Sequence, residues 1–73
     1  MNREEPTVHR RTLGRAIEIA GSAEKLAAFL GLPLDKIQRW YTGEEDYAGN
    51  VFLALVDIVS ANALTPAALR NLR

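Results

Sequence analysis

Residues 22–43 have the sequence SAEKLAAFLGLPLDKIQRWYTG, and this stretch decides the fold of the chain. Two sets of apolar residues recur in it at helical spacing: Leu26, Ala27 and Leu30, and then Ile37 and Trp40. Each set falls on one face of a helix with 3.6 residues per turn. The few residues between the two sets leave room only for a tight turn. The stretch therefore predicts two short helices joined by a turn.

The residues at the ends of these helices agree with this prediction. Ser22 is a natural N-cap, because its hydroxyl can accept a backbone N–H of the first turn, and Glu24 adds a favourable charge there. Gly31 can end the first helix in the left-handed conformation without a Cβ penalty. Pro33 suits the first position of the second helix, and Asp35 lies in its first turn.

The two helices are expected to cross closely because Ala27 is small. A bulky side chain at this position would hold the second helix away from the first. The polar residues of the second helix then point outward, with Tyr41 beside them: Lys36, Gln38, Arg39 and Thr42.

An earlier helix is predicted from four apolar residues at helical spacing, which are Leu13, Ala16, Ile17 and Ala20. Its start is open, because Thr7 and Thr12 are both possible N-caps, and Gly21 ends it. The polar residues 1–7, which include a proline, are expected to form a flexible N-terminal arm. Residues 8–73 are then a single helix-turn-helix domain.

Two further helices are predicted after Gly43. Residues 44–50 form a loop by composition, with Asp46 or Asn50 as the cap of the fourth helix. Residues 51–56 allow a strand locally, but the apolar recurrence over residues 51–64 favours a helix. Thr65 and Pro66 give a start signal for a last short helix. The predicted fold class is all-α, with five short helices.

Composition indicates one small soluble domain without a membrane span. The chain has 73 residues, 48% of them hydrophobic and 25% charged, and no cysteine, which excludes disulfides and thiolate metal sites. No apolar run approaches the roughly 20 residues of a membrane span, and the N-terminal residues lack the apolar region of a signal peptide. The expected location is the cytoplasm.

Catalysis is not expected from the residues present. The sequence has no glycine-rich phosphate-binding motif and no HExxH motif, and His9 is its one histidine. The acidic run at Glu44, Glu45 and Asp46 could attract a divalent cation, but a solvated loop is the favoured interpretation. We therefore predict neither an enzyme nor a bound metal or cofactor.

The helix-turn-helix stretch resembles that of phage-repressor-like DNA-binding domains of the Cro and lambda-repressor type. The similarity is in the spacing of Leu26-Ala27, Leu30-Gly31-Leu32, Ile37, Trp40 and Gly43, and it extends to small bacterial Cro-like regulators whose recognition segment ends in Trp-x-x-Gly. It implies a lambda-repressor-like fold with a helix-turn-helix at residues 22–42. The implied function is that of a small dimeric transcriptional regulator that binds double-stranded DNA sequence-specifically.

The resemblance also implies a contact surface. Gln38 and Arg39 would read base edges or contact adjacent phosphates, with Lys36 and Thr42 beside them. Three further residues would hold the DNA backbone: Ser22, Arg10 and Arg11. The other interpretation of these polar and basic residues is an ordinary solvated surface. The sequence departs from the family pattern at four positions, which are Ala23, where relatives often carry glutamine, and Pro33, Leu34 and Asp35.

Charge motivates a different hypothesis, a protein-interaction domain that does not bind DNA. The formal net charge is zero, and residues 35–46 hold two basic residues against four carboxylates. Neutral charge is unfavourable for phosphate binding. The apolar residues expected to form an interaction surface are Phe29, Leu34 and Leu53. Leu53 lies on the predicted fourth helix, and an apolar surface on that helix could also form a homodimer.

Overall fold

The helices of this chain are seen in a computed structural model that describes residues 8–72. This part of the chain forms five α-helices and a 3-10 turn, without a strand. The elements are α1 (Val8–Ala20), α2 (Ala23–Leu30), α3 (Leu34–Thr42), α4 (Gly49–Ala61), α5 (Pro66–Leu69) and a 3-10 turn (Arg70–Leu72). The predicted all-α class with five helices is confirmed for these residues. The arm predicted at residues 1–7 lies outside them.

The turn between α2 and α3 has the predicted capping geometry. The hydroxyl oxygen of Ser22 accepts the backbone N–H of Lys25 at 3.1 Å, which satisfies one of the first-turn donors of α2. Gly31 is left-handed, with φ 72°, and Leu32 N–H donates to the carbonyl oxygen of Ala27 at 2.9 Å. This arrangement satisfies the last carbonyls of α2 and turns the chain directly into α3.

The predicted start of α3 was wrong by one residue, and the observed start of α1 excludes one of its two candidate caps. Pro33 lies one position before α3, where its extended backbone (φ −65°, ψ 144°) caps the helix that begins at Leu34. Thr12 lies inside α1, because residues 8–11 are already helical, while Thr7, the alternative cap, lies outside the described residues. Propensity locates a helix better than it locates the terminal residue of that helix.

The start of α4 also differs from the prediction. Neither Asp46 nor Asn50 caps it; Ala48 does, and the carbonyl oxygen of Ala48 accepts N–H groups from Val51 and Phe52, each at 3.1 Å. Asn50 is already in the first turn of the helix. Residues 51–61 are helical, so the local strand signal is overridden by packing on the core.

The core is apolar and is built by all five helices. Its buried residues are Leu13, Ala16, Leu26, Ala27, Leu30, Ile37, Trp40, Val51, Ala54, Leu55, Ile58 and Ala68. No polar side chain is buried among the described residues. Ala27, which is 3% exposed, lies on α2 in this core with Ile37 and Trp40 of α3.

Two of the three predicted interaction residues are not freely exposed. Phe29 and Leu34 are half-buried and pack against the core. Phe29 is three residues after Leu26, so it lies at the edge of the same apolar face rather than opposite to it. Leu34 is three residues before Ile37, so it likewise lies at the edge of the buried face of α3. Leu53 is 54% exposed on α4, as predicted.

Candidate functional site

Helix α3 has one buried and one exposed side. Ile37 and Trp40 are 0% and 6% exposed and fix the helix on the core. The exposed residues of α3 are Asp35, Gln38, Arg39, Tyr41 and Thr42, while Lys36 is half-buried. The amphipathic pattern of this nine-residue helix therefore presents a polar face to solvent, as its sequence predicts.

The two basic residues of α3 are held by a carboxylate from the following loop. Gly43 ends the helix with φ 85°, and Glu45 N–H donates back to the carbonyl oxygen of Arg39 at 3.2 Å. The Glu45 carboxylate then pairs with Lys36 Nζ at 2.6 Å and with an Arg39 guanidinium nitrogen at 3.4 Å. Arg39 is also paired with Asp35, one turn earlier on the helix.

These ion pairs shift the pKa values of two of the groups involved. A hydrogen bond from Lys36 is the main reason why the pKa of Glu45 is lowered. The negative charge of Asp35 is the main reason why the pKa of Arg39 is raised. All four partners remain accessible to solvent, so salt and competing anions can reach the pairs. The cations of α3 are thus neutralised locally but remain exchangeable.

The remaining polar residues of this predicted site differ in their bonding. Gln38 is exposed, and its side-chain amide forms no hydrogen bond within residues 8–72. Thr42 donates its hydroxyl to the carbonyl oxygen of Arg39 at 3.2 Å, and Ser22 is occupied in capping α2. Gln38 therefore keeps all of its donor and acceptor capacity for a partner.

The predicted backbone-contact residues lie on α1, next to the end of α3. Arg10 Nε donates to the carbonyl oxygen of Tyr41 at 3.0 Å, so Arg10 ties the two helices together. Arg11 is exposed, and its guanidinium has no ion pair within the described residues. Both arginines contribute to a groove between α1 and α3.

Another cavity, of about 530 Å³, lies beside the C-terminal end of α3 and shares Arg10 with the groove. It is lined by His9, Arg10, Trp40, Gly43, Glu45, Asp46 and Tyr47. The Tyr47 hydroxyl donates to the backbone carbonyl of His9, and burial raises the pKa of Tyr47 to about 12. Within residues 8–72 the buried indole nitrogen of Trp40 has no hydrogen-bond partner. The Trp40 and Tyr47 rings, which both line the cavity, are in edge contact, with ring centroids 5.4 Å apart.

The acidic loop does not assemble a metal site in the described part of the chain. No group of three or more histidine, cysteine or carboxylate side chains there could hold an ion. Glu45, the central residue of the acidic run, is engaged by Lys36 and Arg39 instead. Across residues 8–72, every helix is too short or too polar to cross a lipid bilayer.

Comparison with known proteins adds no relative. No family model, no curated protein and no solved structure matches the chain. A function must therefore be argued from the residues and the geometry of α1, α2 and α3.

Proposed function

We propose that this chain is a non-catalytic DNA-binding protein of the phage-repressor-like helix-turn-helix type, and that it acts as a small dimeric transcriptional regulator. The observation that carries the proposal is the unit formed by α2 and α3. A Gly31 turn joins the two helices, small Ala27 is buried with the apolar side of α3, and the polar side of α3 is left exposed. This is the arrangement in which a recognition helix enters a major groove.

The exposed side chains of α3 have the chemistry that reads bases. The Gln38 amide can bond an adenine edge through two hydrogen bonds, and the Arg39 guanidinium can do the same with guanine. Lys36 lies beside them and would contact a phosphate, while Thr42 would do so only after its hydroxyl releases the Arg39 carbonyl. At the N-terminus of α2, first-turn N–H groups that the Ser22 hydroxyl does not cap would bind another phosphate.

A change of Gln38 to alanine is expected to weaken specific binding by about 1–3 kcal/mol, since a bidentate base contact is lost. The measurement is a fluorescence-anisotropy titration of a duplex selected from a random pool. Ser60→Ala, an exposed polar change on α4, is the control and should bind like the unchanged protein. Unchanged affinity for both Gln38→Ala and Arg39→Ala would refute this contact assignment.

DNA must compete with Glu45 for Lys36 and Arg39, because phosphates and this carboxylate seek the same cations. We therefore expect Glu45→Gln to raise duplex affinity several-fold at low salt, where charge interactions are strongest. Glu44→Gln is the matched control, since it removes the same charge from the adjacent exposed residue. Equal gains for the two variants would show that only net charge matters, and that the pairing with α3 does not.

A protein-interaction domain is the second candidate, and the neutralised cations of α3 favour it. Salt distinguishes the two functions. DNA binding should weaken steeply as salt rises, because bound counterions are released, whereas an apolar protein contact should change little. If the full chain shows no retention on mixed duplex DNA at about 50 mM salt, where backbone attraction is strong, the DNA proposal fails.

The proposed dimer would place two copies of α3 on two half-sites of one duplex. Leu53, exposed on α4, is the apolar side chain that supports a contact between copies. It lies on a helix other than α2 or α3, so self-association through it leaves the α3 surface available.

A further inference from the structure

Glycine in the middle of α1 has a packing role. Gly14 lies near the centre of this helix, where glycine costs stability relative to alanine. A Cβ at Gly14 would come within 3.4 Å of Cε1 of Tyr41. The Tyr41 ring therefore lies directly against the α1 backbone, and it is still 51% exposed. Because Gly14 has no side chain, the Tyr41 ring of α3 can line the groove between α1 and α3.

Arginines surround this ring. The groove has a volume of about 410 Å³ and is lined by Arg10, Arg11, Gly14, Arg15, Glu18 and Tyr41. Glu18 is the single carboxylate among the described residues that line it, and it pairs with Arg15 at 3.0 Å. Arg11, which has no ion pair among residues 8–72, leaves a positive charge in this groove. On the outward face of α3, by contrast, Asp35 and Glu45 pair with both cations.

The basic groove is continuous with the base-reading side of α3. A neighbouring cavity of about 340 Å³ shares Gly14, Glu18 and Tyr41 with it, and is also lined by Gln38 and Thr42. A strand whose bases meet Gln38 would therefore have backbone phosphates close to Arg11 and Tyr41. Arginine and tyrosine hydroxyls are both common phosphate donors.

We propose that the α1–α3 groove binds phosphates of the DNA backbone, with Arg11 as its principal cation and the Tyr41 hydroxyl as a second donor. This inference rests on the proposed function and specifies the surface by which the duplex is held. Most of the phosphate attraction then comes from α1 rather than from α3, which explains how a chain of zero net charge can hold a polyanion.

The test compares two arginines that carry the same charge. Arg11→Ala in the full chain should weaken duplex binding several-fold, and should make the slope of log affinity against log salt shallower by about 0.9, the value for one lost phosphate contact. Arg70→Ala removes an exposed arginine from the 3-10 turn, which packs on α4, and should leave the slope unchanged. Tyr41→Phe keeps the ring against Gly14 and removes the hydroxyl, and it should weaken binding without changing the melting temperature.

Three results separate the inference from the proposed function. A shallower slope for Arg11→Ala alone supports the groove. Equal slopes for the Arg11 and Arg70 variants would contradict phosphate binding in the groove. The proposed function would still stand if Gln38→Ala weakens binding. Absence of duplex binding by the unchanged chain at low salt overturns the proposed function itself, and the groove with it.

Discussion

Replacing Ile37 by alanine is expected to destabilise the domain by about 2–5 kcal/mol, the usual cost of removing a large aliphatic side chain from a core. Ile37 is fully buried, and it anchors α3 together with Trp40. Small domains have modest cores, and total stabilities of folded proteins are about 5–15 kcal/mol. The change therefore removes a large fraction of the stability of this chain, and part of the population should be unfolded at room temperature.

Urea unfolding followed by circular dichroism measures this loss. Val8→Ala is the control, because Val8 is an aliphatic residue that is 63% exposed, and its truncation should cost less than about 0.5 kcal/mol. Similar losses for the two variants would contradict the burial of α3. Under the proposed function, duplex binding by Ile37→Ala should fall with the folded fraction, since α3 has no other large aliphatic anchor that is fully buried.

Local sequence signals predicted much of this fold. Ser22 and Gly31 mark the two ends of α2 because capping depends on side-chain oxygens and left-handed backbone at single positions. The buried sides of α2 and α3 follow from helical periodicity, which needs only residues three or four apart. Thr65 and Pro66 located the start of α5 by the same local reasoning, although the last residues continue as a 3-10 turn.

The candidate site was less predictable, because its decisive contacts join residues that are distant in sequence. Glu45 reaches Lys36 across the end of α3, and no periodic pattern links these two positions. Arg10 bonds the Tyr41 carbonyl from 31 positions away. The glycine in the middle of α1 was the available signal for the α1–α3 groove, since an interior helix glycine commonly has a packing reason. Its partner Tyr41 could be identified only once the helix crossing was known.

Replacing Ala27 by leucine tests whether α2 and α3 must pack closely. Ala27 is 3% exposed, and its carbonyl oxygen accepts the Leu32 N–H in the turn that leads to α3. Three additional carbon atoms have no space here, so the side chain must distort its rotamer or push α3 outward. Overpacking of this kind costs about 1–3 kcal/mol. Displacement of α3 would also move Gln38 away from its position beside Ala23 and Tyr41.

Ala28→Leu provides the comparison, because Ala28 is the exposed neighbour on the same helix and a leucine there meets solvent. The two variants have the same composition, so their melting temperatures and duplex affinities can be compared directly. We expect Ala27→Leu to melt at a lower temperature and to lose specific binding even where it is folded, while Ala28→Leu retains both properties. Full duplex affinity in a folded Ala27→Leu variant would show that the proposed recognition does not need α2 and α3 in close contact. The helix spacing would then have changed without affecting the contacts proposed for Gln38.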